Sequence, residues 1–156
     1  MSKQAPASDA IRFYEMSDAQ HQDVVVQMHG DREVGVQLRI FEWNADRMIA
    51  HTHYDPDIVL PRHSHASDTL VYILDGEVSI DGRSCPAGTQ IVIPKNVPFG
   101  PLIAGPEGCT FLESYAGDFT ATHHDPEGYA QLLTERGIMP VPTAKLEVPE
   151  GAAGEG

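Results

Sequence analysis

A pair of histidines precedes a strand-like run in residues 63–76, which read His63-Ser64-His65-Ala66-Ser67-Asp68-Thr69-Leu70-Val71-Tyr72-Ile73-Leu74-Asp75-Gly76. Side chains at positions i and i+2 of a strand point to the same face, so His63 and His65 are predicted to lie side by side. Two converging imidazoles are nitrogen donors suited to a divalent transition metal. The pair alone therefore indicates half of a metal site.

A second segment, from Gly88 to Phe99, contains a short apolar run that ends at Pro94. Together the two segments resemble the two sequence motifs of the cupin superfamily. Five positions agree with those motifs: His63, His65, Gly76, Gly88 and Pro94. The resemblance covers residues 35–116 and implies an all-β fold, a single RmlC-like jelly-roll barrel. Residues 98–101 and 104–108 are also similar to small bacterial cupins related to dioxygenases that cleave diketones or hydroxyaryl ketones.

The chain departs from the cupin motifs at positions that matter for chemistry. Thr69 stands at the position of the usual glutamate ligand, and Phe99 at that of the last histidine. Asp57 replaces the first glycine, while Asn96 replaces a later glycine and tolerates the same left-handed conformation. Two of the four usual ligands are thus absent, and a working metal site needs replacements.

Three residues are candidates for completing the site. His51 and His53 form a second His-x-His on a predicted neighbouring strand, and Glu113 lies on the strand after the second motif. The predicted metal ligands are therefore His63, His65, His51 and Glu113. Alternatively, His51 and His53 lie on a solvated face, and Glu113 is a surface acid or a partner for Arg62.

Other polar residues near the motifs are given different roles. His53 is a candidate for proton transfer, and Thr69 is predicted to face inward, where its hydroxyl can bind water or substrate. Asp68 points to the opposite face, which favours a role in a turn over coordination. His123 and His124 are expected in an exposed loop.

Alternating apolar and polar residues predict most of the strands. Val34, Val36, Leu38 and Ile40 share one face of the first, and further strands are predicted over residues 47–54, 70–74, 77–80, 89–93 and 109–115. Asp75-Gly76 and Asp81-Gly82 favour tight hairpin turns. One short C-terminal helix is predicted to begin at Pro126, with Asp125 as its cap, and to stop at Gly137.

Length and charge limit the class of protein. The 156 residues correspond to one domain, predicted over residues 21–139, between a flexible segment of residues 1–20 and a Pro/Gly/acidic tail of residues 140–156 that includes Glu150 and Glu155. Ten basic against 23 acidic residues give a net charge of −13, which disfavours nucleic acid and anionic membrane partners. Residues 1–10 lack a signal-peptide pattern, so a cytoplasmic location is expected. The two cysteines, Cys85 and Cys109, are expected to be buried thiols in strands.

Three functions are compatible with these observations. The first is a metal-dependent dioxygenase acting on an enolisable ketone or phenolic substrate, with Fe(II) preferred and Zn, Mn or Ni as alternatives; this reaction class comes from the resemblance. The second is a metal-dependent lyase or isomerase. The third is a metal-free cupin that binds a small apolar ligand. A homodimer is expected, with residues 23–28 covering an edge of the partner.

Overall fold

The computed structural model describes residues 10–143, 146–149 and 152. Within them the chain forms a short 3₁₀ helix, eleven strands and one α helix. In chain order these are the 3₁₀ helix Met16–Asp18, β1 Gln20–His29, β2 Arg32–Trp43, β3 Met48–Tyr54, β4 Val59–Leu60, β5 His63–His65, β6 Thr69–Ile80, β7 Arg83–Pro86, β8 Gln90–Ile93, β9 Leu102–Tyr115, β10 Ala121–His123, α1 Pro126–Glu135 and β11 Ile138–Val141.

The strands form one large sheet and one small one, and every pairing is antiparallel. The large sheet has the order β11-β1-β2-β3-β9-β6-β7, with β4 joining β9 and β8 joining β6. The small sheet consists of β5 and β10. The predicted all-β class with one short C-terminal helix is confirmed.

The core is built from the alternating residues of β2 and its neighbours. Val34, Val36, Leu38 and Ile40 are all buried, as predicted, and pack in one cluster with side chains from β3, β6 and β9. Cys85 and Cys109 are buried free thiols in β7 and β9, as expected. This single cluster extends up to the two motif histidines.

One of the two predicted Asp-Gly turns is confirmed and the other is wrong. Asp81-Gly82 joins β6 to β7 in a two-residue hairpin, and both residues have positive φ. At Asp75-Gly76, by contrast, β6 continues, and its register against β9 shifts on either side of this pair. Gly76 has φ +71° and is required because a Cβ there would lie 2.0 Å from the carbonyl oxygen of Gly108.

Helix α1 has the predicted limits and packs outside the large sheet. Asp125 accepts a hydrogen bond from the backbone nitrogen of Gly128 at 3.1 Å, and Gly137 follows the helix with φ +68°. Leu133 packs with Val59 and Ile138 in a second, small cluster. No helix within the described part of the chain is long and apolar enough to span a membrane.

The described parts of both terminal segments contact the domain. Arg12, within the predicted flexible segment, donates a hydrogen bond from Nη2 to Oε2 of Glu42 at 2.8 Å. At the other end, β11 includes Pro140 and Val141, which pair with β1, so strand structure continues into the predicted tail. Residues 1–9 and the acidic positions Glu150 and Glu155 lie outside the described residues.

Candidate functional site

Strand β5 presents His63 and His65 to a cavity of about 280 Å³. The two ring centroids are 5.0 Å apart with the rings nearly perpendicular. Ser64, between them, points away and hydrogen-bonds to Nε2 of His124 at 3.0 Å. The predicted side-by-side placement of the two histidines therefore occurs at a cavity wall.

Backbone carbonyls hold both imidazoles in one tautomer. Nδ1 of His63 lies 2.8 Å from the carbonyl oxygen of Pro61, and Nδ1 of His65 lies 3.1 Å from that of Phe119. Because a carbonyl only accepts, each Nδ1 carries the proton and each Nε2 keeps its lone pair. A metal-binding histidine typically has this arrangement, in which the second ring nitrogen is fixed by an oxygen acceptor.

Burial keeps both rings neutral at pH 7. It lowers the pKa of His63 below its ordinary value, and it lowers the pKa of His65 to about 4, with a further contribution from His63. Neutral imidazole is the form that donates to a metal ion. The pair is thus in the protonation state that coordination requires.

Glu113 lines the same cavity from β9. Its side chain is buried, and its Oε2 accepts a hydrogen bond from the Tyr115 hydroxyl at 3.3 Å. Burial raises the pKa of the carboxyl to about 7, against the opposing influence of Thr52 and Tyr115. Arg62 is not its partner, because that side chain bonds to Asp81 and to the carbonyl of Gly100. The structure therefore brings Glu113 together with the two motif histidines.

His51 and His53 do not reach this cavity. In β3 the buried positions are Met48, Ala50, Thr52 and Tyr54, so the two histidines lie on the outer face. His53 instead contacts the Thr110 hydroxyl through Nδ1 at 2.8 Å and Asp55 through Nε2 at 3.4 Å. Strand alternation turns both side chains outward, as in the alternative of a solvated face, so the structure does not bring His51 as a ligand or His53 as a proton-transfer group to this cavity.

His123 lies at the cavity, although the sequence placed it in an exposed loop. Strand β10 pairs with β5 so that His123 stands opposite His63 and Ala121 opposite His65. His123 is exposed, and its ring centroid is 6.3 Å from that of His63. The pairing joins segments that are far apart in the chain, and no local pattern in residues 121–123 signals a strand.

The remaining cavity wall is mostly apolar. Consecutive residues Val24 and Val25 both contribute, because the register between β1 and β2 shifts between Asp23 and Val25. Val36 and Leu38 of β2 add to this wall, and Phe119 stacks on His65 at a centroid distance of 5.2 Å. Among the described residues that line the cavity, none is a lysine or an arginine.

Solved structures with the same architecture come from several bacteria. An RmlC-like cupin from Shewanella frigidimarina is 19% identical, with a TM-score of 0.54 over 69% of this chain and 92% of that one. A candidate acetylacetone dioxygenase from Methylibium petroleiphilum is 12% identical, with a TM-score of 0.61 over 80% and 88%. The polyketide cyclase RemF from Streptomyces resistomycificus is 18% identical, with a TM-score of 0.56 over 78% and 94%. The chain has the cupin fold. No protein-family model and no curated protein matches the sequence.

The two departures from the cupin motifs lie beside the histidines. Thr69 is buried and faces inward, as predicted, and its hydroxyl lies 3.4 Å from the carbonyl oxygen of Ser67. Phe99 packs on His63 with ring centroids 4.5 Å apart. With His63 and Glu113 they line a small inner cavity of about 30 Å³. Asp68 is exposed and accepts a hydrogen bond from the backbone nitrogen of Lys95 at 2.8 Å, which fits the predicted turn role.

The donor side chains at this cavity fit a metal ion in part. His63 and His65 offer two neutral nitrogens, and Glu113 and His123 line the same cavity. Among the described residues, however, no three His, Cys, Asp or Glu side chains are already grouped as a metal site. A third protein ligand therefore requires a side-chain movement of Glu113 or His123.

Proposed function

We propose that this cupin is a metal-dependent enzyme acting on a small, uncharged molecule in the 280 Å³ cavity. The observation that carries the proposal is the pair His63 and His65, each with Nδ1 bonded to a backbone carbonyl and Nε2 left for coordination. Both imidazoles also line the same cavity.

The proposed ligands are His63 and His65, completed by Glu113 or His123 and by water. Fe(II) is the preferred ion, because imidazole nitrogens with one carboxylate oxygen and open positions suit it, and Zn, Mn and Ni are alternatives. Such an ion supplies Lewis acidity to a substrate oxygen and, as Fe(II), the electrons for dioxygen chemistry. The chain itself orients the imidazoles and excludes water with its apolar wall.

The proposed reaction is dioxygenation of an enolisable ketone or phenolic compound. A largely apolar wall whose described residues include no lysine or arginine suits a neutral organic molecule, because among those residues only the proposed ion itself would attract a substrate carboxylate or phosphate. The structural similarity to the candidate acetylacetone dioxygenase agrees with this choice but concerns another protein.

A metal-dependent lyase or isomerase is the second candidate. Glu113 favours it, since a buried carboxyl with a pKa of about 7 is suited to accept and return a proton near neutral pH. Oxygen consumption separates the two reactions. Substrate-dependent oxygen uptake supports the dioxygenase, and turnover without oxygen uptake supports the lyase or isomerase.

Metal analysis of anaerobically purified protein tests the proposal. The double variant His63→Ala/His65→Ala is compared with His51→Ala/His53→Ala, which removes an equivalent histidine pair from the outer face of β3. We expect near-stoichiometric metal in the wild type and the outer-face variant, and loss of metal in the β5 variant. Wild-type protein that takes up no Fe, Mn, Ni or Zn on reconstitution contradicts the proposal and leaves a metal-free binding module.

We also propose that the protein is a homodimer. Strand β11 pairs with β1 only over Val26–His29, and in the described structure residues 20–25 have no strand on that side. Thr143 donates a hydrogen bond from Oγ1 to the carbonyl oxygen of Val24 on that side at 3.3 Å, and the rest of this edge is suited to pairing with a second copy. Sedimentation at micromolar concentration tests this, and a monomer contradicts it.

A further inference from the structure

Thr52 carries a buried hydroxyl that no group of the described chain satisfies. The residue is 1% exposed, it lines the cavity, and its Oγ1 has no hydrogen-bond partner. Leaving a buried hydroxyl unpaired costs free energy, so native structures rarely contain one without a reason.

The residues directly opposite Thr52 in the sheet offer its hydroxyl no acceptor side chain. Its register partners are Leu38 on β2 and Phe111 on β9, and both side chains are apolar and buried. Glu113 lies close enough for Thr52 to favour the ionised carboxylate, but the two groups do not meet the geometry of a hydrogen bond. Thr52 also lines the cavity, so an oxygen of a ligand bound there is the remaining candidate acceptor.

The composition of the cavity limits what could bind that hydroxyl. Its described lining contains no lysine or arginine, it includes the carboxyl of Glu113, and its larger part is apolar. An anion would find no cationic partner among these described residues, and a hydrocarbon would leave Thr52 unsatisfied. A neutral molecule with a carbonyl or hydroxyl oxygen avoids both penalties.

We propose that Thr52 is a specificity residue that donates its hydroxyl hydrogen to an oxygen of an uncharged ligand whose apolar body lies against Val36 and Leu38. The cavity volume of about 280 Å³ lies near the lower limit of small-molecule sites and suits a single ring or a short chain. The inference rests on the proposed function only in taking the same cavity as the ligand site, and it needs no metal.

Binding of three probes of similar shape to metal-free protein tests the assignment. Acetophenone carries a neutral oxygen, α-methylstyrene replaces that oxygen by a methylene group, and benzoate is an anion. The wild type should bind acetophenone more tightly than the other two in ligand-detected NMR titrations. Thr52→Val, which keeps the shape but removes the hydroxyl, should weaken acetophenone binding about tenfold, as expected for one lost hydrogen bond. Thr52→Ser should retain most of the affinity.

Thr122→Val is the matched control, because Thr122 is exposed on β10 between two cavity-lining residues and does not itself line the cavity. Melting temperatures verify that the variants fold, and Thr52→Val should be at least as stable as wild type without ligand. Equal affinity of wild type and Thr52→Val for acetophenone overturns the inference, as does failure of the wild type to bind it at millimolar concentration. Neither result bears on metal uptake through His63 and His65, so a failure here is distinguishable from failure of the proposed function.

Discussion

His63 and His123 stand opposite each other in the antiparallel pair of β5 and β10, with ring centroids 6.3 Å apart. His63 is held by the carbonyl of Pro61, whereas His123 is exposed and free to adjust. Opposite positions in an antiparallel pair bring side chains on one face within mutual reach. The small sheet thereby supplies a third imidazole beside a cupin motif that lacks its usual last histidine.

Replacing His123 should weaken metal binding if the ring completes the site. We expect the dissociation constant for Zn²⁺ or Co²⁺ in His123→Ala to rise at least about tenfold, because ligand loss should cost no less than loss of a supporting hydrogen bond. Competition titrations against a chelator measure this. His124→Ala is the control, since that ring bonds to Ser64 on the other side of β5. Unchanged affinity in His123→Ala would leave Glu113 as the remaining protein ligand.

Glu113 should make the metal-free protein less stable at high pH. Its folded pKa of about 7 is above the ordinary value of 4.5, so the folded state retains a proton that the unfolded state releases. The free energy of unfolding therefore decreases as the pH rises from 4.5 through 7. Glu113→Gln should remove this dependence. The difference in free energy of unfolding, variant minus wild type, should be larger at pH 8 than at pH 5 by on the order of 2–3 kcal/mol.

Urea unfolding at pH 5 and pH 8 in the presence of a chelator measures the difference between wild type and Glu113→Gln. Other titrating groups affect both proteins alike, so the difference in their free energies of unfolding reports on Glu113 alone. An identical difference at the two pH values would show that the carboxyl is ionised throughout this range.

The sequence predicts the parts of the fold and site that depend on local periodicity. The alternation in β2 and the His-x-His of β5 predict buried faces that the structure contains. The same rule places His51 and His53 on one face but leaves open whether that face is buried, because either side of an isolated strand can be buried. The series Met48, Ala50 and Tyr54 is the more apolar one, and it indicates which face of β3 is buried.

Long-range pairing limits prediction of the rest of the site. His123 reaches the cavity only because β10 pairs with β5, and Gly76 lies within β6 between two register shifts against β9. Thr52 lies between His51 and His53, and no sequence pattern marks it as a site residue. Its proposed role depends on the absence of a hydrogen-bond partner for its hydroxyl in the folded protein. Such information resides in the assembled sheet and not in the neighbouring sequence.

Glu42 should stabilise the protein above pH 5 and lose that effect in acid. Its buried carboxylate accepts hydrogen bonds from Arg12, Tyr14 and Arg47, and the bond from Arg12 contributes most to lowering its pKa to about 2. Because the folded pKa lies below the ordinary value of 4.5, stability is lost as the pH falls from 4.5 toward 2.

Glu42→Gln should therefore lower the free energy of unfolding at pH 7 by on the order of 2–3 kcal/mol, with a smaller loss at pH 3. Chemical denaturation at both pH values measures it. Glu33→Gln, an exposed position on the same strand, should change little at either pH. Equal losses for Glu42→Gln at pH 7 and pH 3 would mean that shape, and not charge, determines the effect.

Gly76→Ala should destabilise the protein far more than Gly30→Ala. Both glycines have similar positive φ, +71° and +68°, so alanine carries a backbone cost of about 1–2 kcal/mol at either position. At Gly30 no atom lies within 4 Å of the added Cβ, whereas at Gly76 that atom would lie 2.0 Å from the carbonyl oxygen of Gly108. At Gly76 the strands β6 and β9 must separate to relieve this overlap, which adds about 1–3 kcal/mol to the destabilisation. Denaturant midpoints of the two variants measure the difference, and equal midpoints would show that the strands separate here at no cost.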